Sequence, residues 1–297
     1  MNGVLLIDKP SGPTSHDVVA RVRRASGERS VGHAGTLDPA ATGLLVVLLG
    51  KATRLASYLT GQAKTYEAEI RFGFATTTDD AQGDRLSDGP SGPAPTDDAV
   101  RAALDAMVGT VEQLPPQFSA KRVDGVQAYK LARKDKPAAV RPATVTLERW
   151  WWMGREDDRV RIGMTTSAGF YVRALARDLG GQLGCGAHLA ALRRTGSGRF
   201  SVASALSLAE AQELGPALKD RLTSMADALP DFPAVRLSPE GLIRVSHGNP
   251  VGPQVIDGPW VPAETADTKV RLLDHDGRLV ALADLRGGFL HPSAVLS

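Results

Sequence analysis

Apolar and polar positions along the chain follow two periods, and the switches between them mark out its elements. Val4 to Ile7 is a short apolar run that predicts a strand, closed by the turn Lys9-Pro10-Ser11-Gly12-Pro13. Ser15 stands where it can cap a helix with Val18, Val19 and Val22 inside and Arg21, Arg23 and Arg24 outside. A second run, Leu44 to Leu49, predicts a buried strand, and a short helix follows near 52–60. From Lys64 to Phe72 the period is two. Tyr66, Ala68, Ile70 and Phe72 share one face and Glu67, Glu69 and Arg71 the other, as in a half-buried antiparallel strand. Asp, Gly and Pro crowd 79–95, which predicts a loop or insertion, and Thr96 then caps a helix to about Met107. Strands near 142–150 and 158–166 come next. A helix then starts from Ser167–Arg173, runs through Leu179 and ends at Gly180-Gly181. After about residue 230 the texture changes. Pro230, Pro233 and Pro239 mark a linker, and 270–273 with 279–282 flank Asp274-His275-Asp276-Gly277 as a hairpin. The pattern therefore divides the chain into 1–229 and 230–297, with no internal repeat.

Between the first helix and the strand 44–49 lies the stretch Val31 to Gly43, with three glycines, one imidazole and one carboxylate. Glycine takes backbone angles that other residues avoid, so this is a shaped loop that offers Asp38 to a pocket at a sheet edge. Gly-Thr-Leu-Asp-Pro alone is equally consistent with a turn closed by an Asx cap. The longer string Gly32-His33-Ala34-Gly35-Thr36-Leu37-Asp38-Pro39, continued by Ala41-Thr42-Gly43-Leu44-Leu45, is more specific.

That string resembles the catalytic motif of the bacterial tRNA pseudouridine-55 synthases, the TruB family of pseudouridine synthases. Three further segments resemble the family in the same order. They are Lys64-x-Tyr66, the stretch from Gln113 through Pro115-Pro116 to Tyr129, and Gly169-x-Tyr171-x-Arg173 with Asp178-Leu179-Gly180. Phe118 and Arg122 stand where the family usually has Tyr and Lys, with Lys121 alongside. The resemblance covers nearly all of 1–229. It implies an α+β fold with a mixed, largely antiparallel sheet, and a small C-terminal β-barrel-like, PUA-type RNA-binding domain at 230–297. It also implies isomerisation of a flipped uridine in the T loop of tRNA, with Asp38 as nucleophile. His33, Tyr66, Tyr171, Arg173, Leu192 and Lys9 are then the candidate substrate-binding residues. Arg173 is the expected partner of Asp38 on physical grounds too. A planar bidentate guanidinium would oppose the rise in carboxyl pKa that burial causes and fix the carboxylate's orientation.

Composition adds little to this and excludes some alternatives. The 297 residues are 42% hydrophobic and 23% charged, ordinary for a soluble globular protein. A single cysteine, Cys185, cannot form an internal disulfide, which fits a reducing cytoplasm. No signal peptide or membrane-spanning run is expected. Cys185 and His188 lack further ligands at metal spacing and are read as structural, so neither a metal nor another cofactor is expected.

The net charge of +2 is unevenly spread. Residues 121–150 hold eight Lys/Arg against three acids and 170–200 five against one, whereas 76–106 hold seven Asp against two Arg. The basic run Lys130, Arg133, Lys134, Lys136 suits an RNA backbone, and Lys51 and Arg54 are weighed equally as phosphate contacts and as surface charge. Trp150, Trp151 and Trp152 can stack bases or simply pack. The partner expected is the T arm of tRNA, bound by a monomer with no protein partner. Two other functions stay open on the residues alone. One is an RNA chaperone that has no need of Asp38. The other is a carboxylate-dependent glycosidase, for which Asp178 is the available second acid.

Overall fold

A computed structural model describes residues 1–116, the short paired strands at 122–123 and 126–127, and residues 141–260 and 269–296. The basic run 130–136 and the side chains of Phe118, Lys121 and Arg122 lie outside the described residues. The strands in chain order are β1 (Gly3–Lys9), β2 (Val31–His33), β3 (Thr42–Leu49), β4 (Lys64–Phe72), β5 (Gly109–Gln113), β6 (Arg122–Val123), β7 (Val126–Gln127), β8 (Ala143–Glu156), β9 (Arg159–Thr166) and β10 (Ala187–Ser197). They continue with β11 (Phe200–Ser201), β12 (Leu206–Ser207), β13 (Ala234–Leu237), β14 (Ile256–Asp257), β15 (Lys269–Leu273), β16 (Leu279–Arg286) and β17 (Phe289–Val295).

The main sheet runs β12-β1-β3-β10-β4-β9-β8-β5, with β2 on β3 and β11 on β10. Its pairs are antiparallel except β1–β12 and β3–β10, so the fold is α+β with a mixed, mostly antiparallel sheet. β1 and β3 are apolar in both parities because both their faces are covered. Leu5, Ile7, Leu45 and Val47 pack under the helices Ser15–Ser26 and Leu208–Leu214, while Val4, Leu6, Leu44 and Val46 pack against Leu55 and Leu59. The other half of the sheet is covered on one face only. There Tyr66, Ala68, Ile70 and Phe72, with Val160, Ile162 and Met164, meet the helices Asp97–Ala106 and Val172–Gln182. Glu67, Glu69, Arg71, Arg159 and Arg161 occupy the uncovered face, as period-two alternation requires.

Several elements differ in detail from the sequence pattern. The first helix is capped by Thr14, whose hydroxyl accepts from Asp17 N while the Asp17 carboxylate accepts from Thr14 N. Ser15 is one residue inside, and its hydroxyl is used elsewhere. The helix expected from Ser167–Arg173 starts at Val172 and passes through Gly180-Gly181 to Gln182. Gly180 is there for close approach, since a Cβ would overlap the backbone of Ala187 where β10 begins. The strand at 143–156 is longer than expected, and the stretch 50–60 begins as a 3-10 turn before Ala56–Thr60 becomes helical.

A second sheet, β14-β13-β15-β16-β17, occupies 234–295. It includes the hairpin expected around 274–277, in which Leu273 pairs with Leu279. Leu279, Leu282 and Leu296 pack into the same core as Val4, Leu44 and Leu55, so this sheet is docked on the main one.

Candidate active site

β3 and β10 touch over only two residue pairs, Thr42 with Arg193 and Gly43 with Arg194, and the sheet opens on either side of that contact. Gly43 has φ +96°, and a Cβ there would strike the Arg194 backbone, so this crossing requires glycine. The loop 34–41 sits on the opening. Three buried polar side chains hold it from behind. Lys9, with no exposed surface, donates to the carbonyls of Pro10 (2.9 Å), Pro39 (3.0 Å) and Ala41 (2.8 Å). The Ser15 hydroxyl accepts from Leu37 N (2.8 Å) and donates to Leu37 O (3.0 Å). Arg194 is 2% exposed and donates to the carbonyls of Leu44 (2.7 Å), Gly35 (3.1 Å) and Thr36 (3.3 Å). The residues on both sides of Asp38 are thus fixed by side chains from three different elements.

Asp38 projects forward from this loop to where two clefts meet. The larger, about 520 Å³, lies on the uncovered face and is lined by Glu67, Asp80, Met153, Arg161 and Arg193 among others. The smaller, about 250 Å³, is lined by Tyr66, Lys64, Phe170, Tyr171 and Arg194. Asp38, Arg173 and Leu192 border both.

The Arg173 guanidinium approaches the Asp38 carboxylate through Nη2 at 3.0 Å. Its Nη1 turns to Thr78 O (3.4 Å) and Asp80 Oδ2 (3.5 Å), so the group bridges two carboxylates. Asp38 is 45% exposed at its side chain, yet protein crowds it on the cleft side. Burial raises its pKa, Arg173 and then Lys9 oppose this, and the Asp80 charge adds to it; the net direction is upward.

The stretch 79–95, read from sequence as a loop, supplies the other half of this network. Thr78 Oγ1 (2.5 Å) and Gln82 N (3.0 Å) both donate to Asp80 Oδ1, and Asp80 bridges to Leu189 of β10. Asp79 adopts φ +60°, a strained angle for a non-glycine residue, and reaches Arg177 at 3.1 Å. Two arginines one helical turn apart thereby hold the two adjacent acids.

The two tyrosines face the smaller cleft from different elements. Tyr66 lies on the inner face of β4, where burial raises its pKa against the opposing charge of Arg194. Tyr171 precedes the helix Val172–Gln182. Gln113 fixes its backbone by accepting from Tyr171 N (2.9 Å) and donating to Tyr171 O (3.3 Å).

Of the residues singled out from sequence, Asp38, Tyr66, Tyr171, Arg173 and Leu192 come together at the clefts. Lys9 does not line them, because it acts on the loop from inside. His33 lies apart on β2, edge-on to His16 with ring centroids 5.4 Å apart. Its Nδ1 is buried with no hydrogen-bond partner, and burial lowers its pKa. His188 contacts Phe74 O through Nδ1 at 3.2 Å, a structural role, and no group of metal-ligating side chains occurs among the described residues. Ser15, Asp80, Gln113 and Arg194 were not identified as site residues from sequence, although Gln113 lies within a quoted motif.

Residues 23–172 match the model described as "TruB family pseudouridylate synthase (N terminal domain)", and residues 173–229 match "tRNA pseudouridylate synthase B C-terminal domain". The chain is 44% identical over 305 residues to tRNA pseudouridine synthase B of Thermobifida fusca, covering 100% of this chain and 99% of that one. It is 41% identical to the protein of the same name from Roseobacter denitrificans, covering 100% and 96%. Among solved structures, a chain of an H/ACA RNP bound to a substrate RNA containing 2'-deoxyuridine superimposes with a TM-score of 0.74 at 24% identity. That match covers 99% of this chain and 85% of the other, and shows the shared fold.

Proposed function

This chain belongs to the TruB family of pseudouridylate synthases, and we propose that it converts uridine to pseudouridine at position 55 in the T loop of tRNA, with Asp38 as nucleophile. The observation that carries this reading is the Asp38 carboxylate, locked by its backbone, 3.0 Å from Arg173 at the junction of two clefts. Isomerisation needs no redox partner or energy donor. The C1′–N1 bond breaks with its electron pair going to uracil N1, while the Asp38 carboxylate attacks C1′ or stabilises the cationic sugar. The uracil turns, C5 bonds to C1′ and displaces the carboxylate, C5 loses its proton and N1 takes one up.

The two clefts suit the two parts of this substrate. A uridine inside a folded loop must first leave its stack, at a cost of a few kcal/mol. The smaller cleft, with Tyr66 and Tyr171, takes the flipped uracil, and Leu192 packs on its edge. The larger one takes the adjoining RNA backbone. Arg173 holds Asp38 ionised and aimed, and Asp80 restrains Arg173 in turn. Tyr66 can donate a hydrogen bond to the uracil; burial pushes its phenol above the ordinary value of about 10, against the opposing charge of Arg194, so removal of the C5 proton by a tyrosine would need help from its surroundings. His33 lies outside both clefts and contacts the RNA where the flipped nucleotide departs. The C-terminal sheet is a PUA-type RNA-binding unit, with 1–229 as the catalytic unit, and the enzyme acts as a cytoplasmic monomer.

The test is a T-arm transcript labelled with tritium at uridine C5. Wild type should release tritium, and Asp38→Asn should release none while binding the RNA within a few-fold of wild type. Binding and unfolding of the T arm without release by wild type would replace this reading with that of a chaperone.

A further inference from the structure

We propose that the uncovered sheet face beside the catalytic cleft, centred on Trp151, is a stacking platform for a second, unpaired base of the RNA substrate. This rests on the RNA-modifying reading above and extends it to a site outside the reaction centre.

Alternation along β8 separates the three tryptophans. Trp150 and Trp152 point to the covered side. The indole N–H of Trp150 donates to Asp105 at 2.9 Å, and Trp152 lies under the Arg101 guanidinium at 4.0 Å. Both are accounted for by packing against the helix Asp97–Ala106. Trp151 points the other way and is 38% exposed, which packing alone does not explain.

Its setting is built for a flat ring. Trp151 pairs across the sheet with Gly163, and a Cβ at Gly163 would fall inside the indole. The glycine therefore lets the ring lie along the sheet. Arg161, on the same face two residues before Gly163, lines the larger cleft with Asp38, as does Met153, itself 39% exposed. The platform is continuous with the catalytic cleft.

Charge favours the same occupant. The Arg149 guanidinium lies 5.8 Å from the Trp151 ring centroid and donates to the Thr165 hydroxyl. Neither Arg149 nor Arg161 is in an ion pair among the described residues, whereas Glu69 on this face is neutralised by Arg159. An open aromatic ring with one guanidinium beside it and a second cation, Arg161, on the same face towards the cleft is what single-stranded nucleic acid stacks on, because any base offers a π face and its phosphates meet the cations.

Trp151→Leu, Trp151→Phe and Gly163→Ala would be compared with wild type for T-arm binding and for tritium release. Leu keeps apolar bulk without a flat ring, Phe keeps the ring, and the methyl of Gly163→Ala displaces the indole without removing it. The expected result for Leu and for Gly163→Ala is a Kd and KM about tenfold higher, with kcat within about twofold of wild type. Phe should recover most of that loss. An unchanged Kd in the Leu variant, or an equal loss in Leu and Phe, would overturn the proposal. If wild type binds the RNA without releasing tritium, the functional reading fails while the Kd comparison still decides the platform. If it does not bind the RNA, both fail.

Discussion

In the main sheet and the helices on it Lys9, Lys64, Arg173, His188 and Arg194 are buried, whereas between 234 and 296 no described buried side chain is polar or charged. Both regions have well-filled apolar cores, and the second docks on the first through Leu279, Leu282 and Leu296. The difference lies in what each core has to hold. Removing a charge from water costs several kcal/mol unless hydrogen bonds replace the lost solvation. For Lys9 and Arg194 those bonds go to backbone carbonyls of the Asp38 loop and the strand after it, for Lys64 to carbonyls of residues 59–62, and for Arg173 to Asp38, Asp80 and Thr78 O. Lys9, Arg173 and Arg194 thus mark where an irregular shape is held around a reacting group, and the C-terminal core contains no such place.

Removing Arg194 tests this most severely. Arg194→Met leaves the carbonyls of Gly35, Thr36 and Leu44 without their donor, and should destabilise the protein by about 3–5 kcal/mol and abolish turnover. Urea unfolding with a tritium-release assay on the folded fraction would show it. A variant of wild-type stability and activity would mean that the loop holds its shape unaided. The matching change in the other region is Leu282→Ala, in a fully buried apolar site where that sheet docks on the main one. It should cost about 2–5 kcal/mol through the cavity it leaves, yet keep kcat near wild type where it is folded. A comparable loss of kcat would show that the docked sheet shapes the catalytic loop.

What could be read from the sequence divides along the same line. Strand β4, the helix capped by Thr96 and the hairpin at 274–277 follow from local periodicity and turn chemistry, and the structure has them. Asp38, Arg173 and the tyrosines could be found because they lie in long motifs. Lys9 was named only as a substrate contact and Arg194 not at all, since their work is done on carbonyls some 30 to 160 residues away and a buried cation looks like a surface one in sequence. Asp80 was hidden for another reason. It sits in an Asp/Gly/Pro-rich stretch that reads as solvent loop, and only the bridge to Leu189 brings it to Arg173. The cap assignment missed by one residue because Thr14 and Ser15 are equivalent in propensity, and contact with Leu37 claims Ser15.

A smaller effect separates the two carboxylates on Arg173. Burial and Asp80 raise the Asp38 pKa and Arg173 lowers it. Activity that needs ionised Asp38 must therefore rise with pH through that value. Asp80→Asn removes a like charge and should move the acid limb of kcat/KM to lower pH. Arg173→Gln should move it higher and lower kcat as well. Limbs unmoved in both variants would show that another group controls the profile.

The smallest expected effect concerns the two buried lysines. Burial lowers Lys9 and Lys64 from 10.5 to about 8 in the folded chain. Below pH 8 both are protonated, folded or unfolded, and the cost of burying the charges is fully present. Between about 8 and 10.5 the folded chain binds fewer protons than the unfolded one, so stability from these groups rises with pH. Tyr66 acts in the opposite sense, because its raised pKa keeps the phenol protonated after the unfolded chain has lost that proton, near pH 10 and above. Cys185, whose thiol burial raises above its ordinary 9.0, also acts in that sense, but equally in wild type and in a lysine variant, so the comparison is made between about pH 8 and 9.5. Urea midpoints measured across it should climb more steeply in wild type than in Lys64→Met, whatever the absolute stability of the variant. The slope in Leu282→Ala should equal that of wild type, because the substitution removes no titrating group. Parallel slopes in wild type and Lys64→Met would mean that carbonyl hydrogen bonds to the ammonium fully offset its burial, and that the charged interior of the main sheet costs less than its exposure suggests.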